Sequence, residues 1–247
     1  MTDFSYQLYS SRDFGPLPAT LGMLADLGYA QVEGYGPVYE DIEATRRAMD
    51  ETGLTMPSGH FAIDRLESDP QGTLEIARAL GMDRVVVPFL MPADRPTDAA
   101  GWEAFGKRLA EAGKPVRDAG LGYGWHNHDF EFKALPDGTR PIDLILADES
   151  VGCEFDLAWA HVAGTDPGTV IDQYGSRLIS AHVKDRAPEG ENADEDGWAD
   201  AGHGVLDWPA HFEALKAAGC DLFIMEHDKP ASDERFARRA LQFMQSL

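Results

Sequence analysis

A regular alternation of short β-rich runs with longer helix-like stretches constrains this chain more than any other feature. The longer stretches carry apolar residues spaced three and four apart, as at Leu21 and Leu24, which indicates amphipathic helices. Several of them end at a glycine, such as Gly28 or Gly81, where a left-handed helix cap would fall. The predicted strands are Phe4–Tyr9, Ala30–Gly34, Thr55–His60, Arg84–Phe89, Gly122–Asn127, Val151–Asp156, Leu178–Lys184 and Leu222–His227.

Repeated βα units of this kind build a parallel sheet with helices packed outside it. Eight units in 247 residues amount to about 31 residues each, which matches a closed eight-stranded barrel better than an open sheet. The sequence therefore predicts an α/β fold, a single (β/α)8 TIM barrel that spans residues 1–247 as one domain. In such barrels the active site lies at the C-terminal face of the strands.

The charge balance excludes several classes of partner. The chain has 43 acidic and 21 basic side chains, a formal net charge of −22. Because nucleic-acid affinity depends on Lys and Arg contacts with phosphates, we expect no nucleic-acid partner. Residues Met1–Arg12 do not resemble a signal peptide, and no segment approaches the roughly 18 apolar residues of a membrane span. With only Cys153 and Cys220, the chain is expected to be cytoplasmic, in a reducing compartment and without membrane contact.

Strand parity predicts where the polar side chains point, since alternate residues of a barrel strand face the interior. In the seventh strand Ala181 and Val183 share an apolar face, whereas His182 and Lys184 share the opposite, polar face. The same rule brings imidazoles and carboxylates together at or near strand ends: His60, His126, His128, His182, His227, Glu33, Glu154, Asp156 and Glu226.

Taken singly, each of these residues is most simply a hydrogen-bonded core residue. As a set they carry several buried carboxylates, whose mutual repulsion and desolvation are costly without a neutralising cation. Oxygen-rich sites with one or two imidazoles suit Mn²⁺, Mg²⁺, Co²⁺ or Zn²⁺. The sequence thus predicts a divalent metal site at the C-terminal rim.

One connection has an unusual composition. Residues Arg186–Gly204 follow the seventh strand and contain six acidic side chains, at positions 189, 191, 194, 195, 196 and 200. A loop of this length is either functional or merely solvated. We interpret it as a lid over the site or as a solvated connection.

Seven motifs around these units resemble, in order and spacing, the sugar phosphate isomerase/epimerase family with its xylose-isomerase-like barrel. They are YQLYSSRD, GYAQVEGYG, YGWHNHDFEF, CEFDLAWAHVAGTDP, SAHVKD, GHGVLDW and IMEHD. The HNHDFEF version is similar to a branch whose members act on keto-sugars, keto-glycosides and inososes.

The resemblance implies one divalent ion per chain, with Mn²⁺ preferred and Mg²⁺, Co²⁺ or Zn²⁺ as alternatives. The ion would be held by a Glu after strand five, an Asp on strand six, a His on strand seven and a Glu on strand eight. The last three are Asp156, His182 and Glu226 here. We assign the first to Glu131, with His126 as the alternative because it stands where many relatives carry Glu.

The implied activity is that of an isomerase or epimerase of a ketose or related keto-sugar, which moves a proton next to a carbonyl through a metal-bound enediolate. Glu131 and Glu226 are the candidate catalytic carboxylates. The candidate substrate contacts are His60, His126, His128, Lys184, Trp159 and Glu33. Lys184 is alternatively an ion-pair partner of Asp156 or Asp185. His203 stands where relatives often carry Glu, which leaves its role open.

Three other functions compete with this expectation. The same site could serve a dehydratase or a keto-glycoside lyase or hydrolase. An apurinic-site endonuclease has a related barrel, but its basic groove conflicts with the charge of −22. A non-catalytic sugar-binding protein would have lost a carboxylate on strand six or eight, and both are present. Related barrels often form homo-oligomers, which this sequence leaves open.

Overall fold

Eight parallel strands close into a barrel in the computed structural model, which describes residues 3–247. The strands are β1 (Phe4–Gln7), β2 (Gln31–Gly34), β3 (Thr55–His60), β4 (Arg84–Val87), β5 (Gly122–His126), β6 (Gly152–Asp156), β7 (Leu178–Val183) and β8 (Phe223–Met225). Each strand pairs with its neighbour in chain order, and β8 returns to β1 with Phe223 opposite Phe4. The predicted TIM barrel is therefore confirmed.

Helices surround the strands. They are α1 (Leu17–Leu27), α2 (Ile42–Thr52), α3 (Ile63–Ser68), α4 (Pro70–Leu80), α5 (Ala99–Ala112), α6 (Lys114–Asp118), α7 (Pro141–Ile145), α8 (Leu157–Val162), α9 (Pro167–Tyr174), α10 (Trp208–Ala217) and α11 (Asp233–Gln245). The predicted cap at Gly28 has φ 100° and the one at Gly81 has φ 83°, the left-handed conformation that glycine adopts at low cost. None of the helices within residues 3–247 is both long enough and apolar enough to cross a bilayer.

Part of the acidic excess caps helices. The carboxylates of Asp41, Asp69 and Asp98 accept backbone N–H groups in the first turns of α2, α4 and α5, at 2.8–3.0 Å. Such caps satisfy amide groups that have no partner within the helix. The acidic residues at these three positions are explained by helix capping, so they give no information about what the protein binds.

Five of the eight predicted strands run too far at their C-terminal ends, whereas β2, β3 and β6 end at the predicted residue. Tyr9 lies in a 3-10 turn (Leu8–Ser11) after β1, and Phe89 lies beyond the end of β4. At this end of the barrel the chain leaves the hydrogen-bonded ladder and turns outward. The residues just past each strand therefore form the rim of the barrel.

Strand parity is confirmed on β5 and β7. Tyr123 and Trp125 face the helices, since the Tyr123 hydroxyl donates to Leu109 O at 2.9 Å and the Trp125 ring meets Phe105 at 5.4 Å. His182, on the opposite face of its strand from Ala181, points into the barrel and is fully buried. The interior is thus polar towards its C-terminal end.

The acidic connection after β7 is folded rather than free. Trp198–Ala199 pairs with Asp185–Arg186 as a two-stranded antiparallel ribbon, and Trp198 is only 3% exposed. The Asp185 carboxylate accepts the backbone N–H groups of residues 202, 204 and 206 at 3.0–3.1 Å. The interpretation as a solvated connection is wrong for the buried part of this segment. We call the segment from Arg186 to Gly204 the wall after β7, since its buried residues pack against the barrel rim.

Candidate active site

Two imidazoles and two carboxylates meet at the C-terminal rim of the barrel. His126 ends β5, Asp156 ends β6, His182 lies in β7 and Glu226 follows β8. One donor atom from each lies within 4.8 Å of the others, and all four side chains are buried. We call these four residues the rim cluster. The structure thus brings Asp156, His182 and Glu226 together, and His126 joins them.

Local structure fixes Asp156 in this place. Its Oδ1 accepts the Trp159 N–H at 2.9 Å and so caps the first turn of α8. The Asn127 side chain accepts the Asp156 N–H and donates to the Asp156 carbonyl, both at 3.0 Å. The Asn127 bonds join the ends of β5 and β6, and because the cap uses Oδ1, the second oxygen of Asp156 is left facing the buried Lys184.

His182 is the centre of the charged groups. Its Nδ1 lies 2.9 Å from Glu226 Oε2, and its Nε2 lies 2.8 Å from Glu33 Oε2 and 3.1 Å from Glu154 Oε1. Burial alone lowers the pKa of His182, but Glu154 and Glu226 raise it well above its ordinary value. Carboxylates on both sides of the ring therefore set its orientation.

A second set of buried polar groups surrounds Glu33 and Glu154, the two carboxylates that contact His182 Nε2. His60 Nε2 lies 2.6 Å from Glu154 Oε1 and 3.2 Å from Glu33 Oε2. Gln7 donates to Glu33 at 2.6 Å, and Ser180 donates to Glu154 at 2.7 Å. Burial and the neighbouring Glu154 raise the pKa of Glu33. Burial opposes ionisation of Glu154 too, but nearby imidazoles hold its pKa well below the usual range.

Lys184 carries a charge with no solvent exposure. Its Nζ lies 2.7 Å from Asp228, 2.8 Å from Glu226 and 3.2 Å from Asp156. It also lies 4.9 Å from the centre of the Trp198 ring. Burial alone lowers the pKa of Lys184, but these carboxylates raise it above its ordinary value. The ion-pair alternative for Lys184 is thus observed with Asp156, while Asp185 faces the loop instead.

The chemistry of the rim cluster fits a divalent cation. His126 Nδ1 and Asp156 Oδ2 are buried without a hydrogen-bond partner, although His126 Nδ1 lies 3.5 Å from Glu154 Oε1 and Asp156 Oδ2 has its ionic contact with Lys184. Burial and the neighbouring His182 lower the pKa of His126 to about 4, so its ring is neutral at pH 7 and offers a lone pair. A second group, His60, His126, Glu154 and His182, has donor atoms equally close together. The two groups have His126 and His182 in common, so an ion bound by one group would use two ligands of the other.

Glu131 does not reach the rim cluster, and this corrects its predicted position there. Its carboxylate accepts the Trp125 indole N–H at 2.9 Å and the His128 backbone N–H at 3.0 Å. Because Trp125 faces the helix layer, these bonds turn Glu131 away from the interior. Burial raises the pKa of Glu131 to about 8. The structure therefore gives the place beside Asp156, His182 and Glu226 to His126, the alternative first ligand.

A cavity of about 480 Å³ opens above the rim cluster. His60, His126 and His128, three of the predicted substrate contacts, line it. The other three do not line it. Glu33 is bonded to Gln7 and His182, Lys184 is enclosed by carboxylates, and the Trp159 ring packs against the His128 ring at 5.2 Å.

Sequence reasoning missed other groups that line this cavity. Asp228 is one, and it follows Glu226 by two residues, so strand parity extended past β8 could have found it. Tyr35 follows Glu33 in the same way after β2. Arg65, on α3, gave no comparable signal. The remaining lining residues are Glu226 of the rim cluster, Tyr9, Gly36, Tyr39, Phe61, Ala62, Pro88 and Phe89.

Two predicted histidines lie away from the rim cluster. His227 is buried, and its ring meets Phe236 of α11 at 5.3 Å. Its Nε2 lies 4.0 Å from Glu195 Oε1 in the wall after β7. His203 lies 6.4 Å from Phe243, beside a smaller cavity that Arg235 also lines. Neither histidine joins the rim cluster.

The model of one protein family, described as a xylose isomerase-like TIM barrel, matches residues 21–247. The chain belongs to the xylose isomerase-like TIM barrel family. The chain is also similar to the rhizopine catabolism protein MocC of Rhizobium meliloti, at 25% identity with 83% of this chain and 72% of that protein covered.

Solved structures of the same barrel superpose over the whole chain. A sugar phosphate isomerase/epimerase from Parabacteroides distasonis has a TM-score of 0.83 at 22% identity, covering 99% of this chain and 94% of that one. The 3-keto-D-glucoside 4-epimerase YcjR of E. coli has a TM-score of 0.73 at 18% identity and covers both chains completely. At these identities the likeness establishes the fold.

Proposed function

We propose that the protein is a divalent-metal-dependent isomerase or epimerase of a ketose or related keto-sugar, including keto-glycosides and inososes. The observation that carries this proposal is the rim cluster, a buried set of two imidazoles and two carboxylates that opens into a ligand-sized cavity. Its position at the C-terminal ends of the strands is where TIM barrels carry out catalysis. The activities for which the two structurally similar proteins are named belong to this class of reaction.

His126, Asp156, His182 and Glu226 would hold the ion, with His126 in the place first assigned to Glu131. Mn²⁺ remains the preferred ion, with Mg²⁺, Co²⁺ or Zn²⁺ as alternatives. When bound, it supplies Lewis-acid stabilisation of the negative charge that develops on substrate oxygens. Carboxylates behind the ring, Glu33 and Glu154, keep His182 oriented towards the cluster.

The protein's own side chains would move the proton. Glu226 lines the cavity, and Lys184 and His182 hold its pKa well below the usual range despite burial, so it is ionised and can accept a proton. His128 also lines the cavity, and burial lowers its pKa well below the ordinary value. Its buried Nδ1 has no hydrogen-bond partner. We assign both the removal of the proton and its return to Glu226, and the binding of a substrate hydroxyl to the neutral His128 ring.

The first test is metal content. We expect about one divalent ion per chain in the purified protein and its loss, with activity, in Glu226→Gln and His126→Ala. Glu131→Gln is the matched control, since its carboxylate lies outside the rim cluster, and it should keep the ion. Metal retained in both cluster variants, or lost only in Glu131→Gln, would reject the assignment.

The second test is the product. Reaction of a panel of keto-sugars and keto-glycosides in D₂O should give an isomer of the substrate that carries one solvent deuterium. A released aglycone or a dehydrated product would instead establish the lyase, hydrolase or dehydratase alternative. Cleavage of abasic DNA with three ions per chain would establish the endonuclease, against which the net charge of −22 argues.

A further inference from the structure

The cavity above the rim cluster has two different halves. Its polar half carries His60, His126, His128, Glu226 and Asp228. Its other half consists largely of rings from the segments after β1–β4, namely Tyr9, Tyr35, Tyr39, Phe61 and Phe89. The side of the rim near β6 and β7 is filled by Trp159 and Trp198, whose rings meet at 4.6 Å. Space for a ligand therefore extends from the rim cluster towards β1–β4.

The aromatic half is continuous with the rim cluster. Phe89 meets the His128 ring at 4.9 Å, and His128 meets His126 at 5.0 Å. Among the other lining rings, Tyr9 and Tyr35 meet edge to face at 5.5 Å. Tyr9 is 38% exposed, although most aromatic rings of this chain are buried. A ligand held at the rim cluster would thus reach these rings directly.

Charge on this cavity disfavours an anionic substituent. Arg65 is the one basic side chain other than histidine among its lining residues within 3–247, and it lies 3.7 Å from Asp69. Two carboxylates, Glu226 and Asp228, line the same cavity. Arg12 is close by, but its guanidinium lies on the Tyr9 ring at 3.9 Å and donates to the Asp228 carbonyl. Since both guanidinium groups already have partners, a phosphate would meet no unpaired Arg side chain at this cavity among the described residues.

We propose that the aromatic half is a subsite for the second ring of an uncharged keto-glycoside, either an aglycone or a second sugar. The inference rests on the proposed function and narrows its substrate class to two-ring glycosides. Aromatic side chains bind flat, weakly polar rings by dispersion and by burying their apolar faces. The cavity of about 480 Å³ lies within the range of roughly 300–1,000 Å³ that ligands of this size occupy.

The test compares three substrates on the metal-loaded protein: 3-keto-D-glucose, its phenyl β-glycoside and its 6-phosphate. We expect kcat/KM for the phenyl glycoside to exceed that for the free sugar at least tenfold, with the phosphate poorest. Tyr9→Ala and Phe89→Ala should each lower the ratio of glycoside to free sugar about tenfold, mainly through KM. Phe14→Ala is the matched control, because Phe14 is also 38% exposed but does not line the cavity.

Three outcomes overturn the subsite. They are equal use of free sugar and glycoside, a preference for the phosphate, or an equal loss on both neutral substrates in the two variants. If no substrate is converted, the proposed function fails separately. Calorimetric binding of phenyl β-D-glucoside then decides the subsite, since it should weaken about tenfold in Tyr9→Ala and not in Phe14→Ala.

Discussion

Lys184 places a full positive charge inside the barrel, and its role can be tested apart from catalysis. It is the internal counter-charge of Asp156, Glu226 and Asp228. Breaking a buried ion pair by removing one partner costs about 3–5 kcal/mol. We therefore expect Lys184→Met to destabilise the metal-free protein by about this amount and to raise its affinity for Mn²⁺ at least about tenfold, since one repulsive charge is removed.

The measurement is the thermal midpoint with and without Mn²⁺, because an ion that binds only the folded state raises that midpoint. The rise should be larger in Lys184→Met than in the unmodified protein. Lys216→Met is the control, since Lys216 pairs with Glu213 at the surface. An equal rise in all three proteins would show that Lys184 does not oppose the ion.

Glu131 gives a prediction about pH. Its pKa of about 8 in the folded state lies above the value near 4.3 of an unfolded chain, so the folded state holds the proton over a wider range. Stability must then fall as pH rises between these values, by up to about 1.4 kcal/mol per pH unit. Glu131→Gln cannot titrate there, so its stability relative to the unmodified protein should increase from pH 5.5 to pH 8. Urea denaturation at both values measures this, and a constant difference would contradict it.

At the scale of elements, α11 holds the wall after β7. Arg235 lies 2.6 Å from Glu195 and 3.0 Å from Asp200, both of them buried side chains in that wall. The same segment carries Trp198, which contacts Lys184. The wall is thus fixed at both ends, by Asp185 and by α11.

We expect Arg235→Met to cost about 1–3 kcal/mol, less than a fully buried pair because the Arg235 side chain is 34% exposed. Chymotrypsin should also cleave after Trp198 faster. Arg238→Met is the control on the same helix, where an exposed pair with Glu234 contributes little. Unchanged cleavage in Arg235→Met would mean that the wall is held by other contacts.

Elements were easier to predict than their ends. The βα alternation located all eight strands, because hydrophobic spacing reflects the face that each element buries. The C-terminal ends were placed too far along at β1 and β4, since Tyr9 and Phe89 read as strand residues but lie in rim segments. Whether a backbone group at a strand end is hydrogen-bonded depends on where the neighbouring strand ends. The spacing of residues in one strand does not carry this information.

At the scale of the whole molecule, the net charge of −22 should affect stability. Like charges on a folded surface repel more than in the expanded chain, so screening favours the folded state. The Debye length falls from about 30 Å at 0.01 M salt to about 3 Å at 1 M. We expect the thermal midpoint to rise with NaCl over this range, with metal content held constant. A fall would mean that specific ion pairs outweigh the general repulsion.

The sequence by itself determined the barrel, the faces of its strands and the convergence of Asp156, His182 and Glu226, because these follow from periodicity and from the common direction of parallel strands. Only the tertiary structure decided that His126 completes the cluster while Glu131 turns away. That choice depends on the indole N–H of Trp125, which lies on the helix-facing side and binds the Glu131 carboxylate. The tertiary structure likewise decided which aromatic rings share the cavity, because they come from separate segments that meet only when the barrel closes.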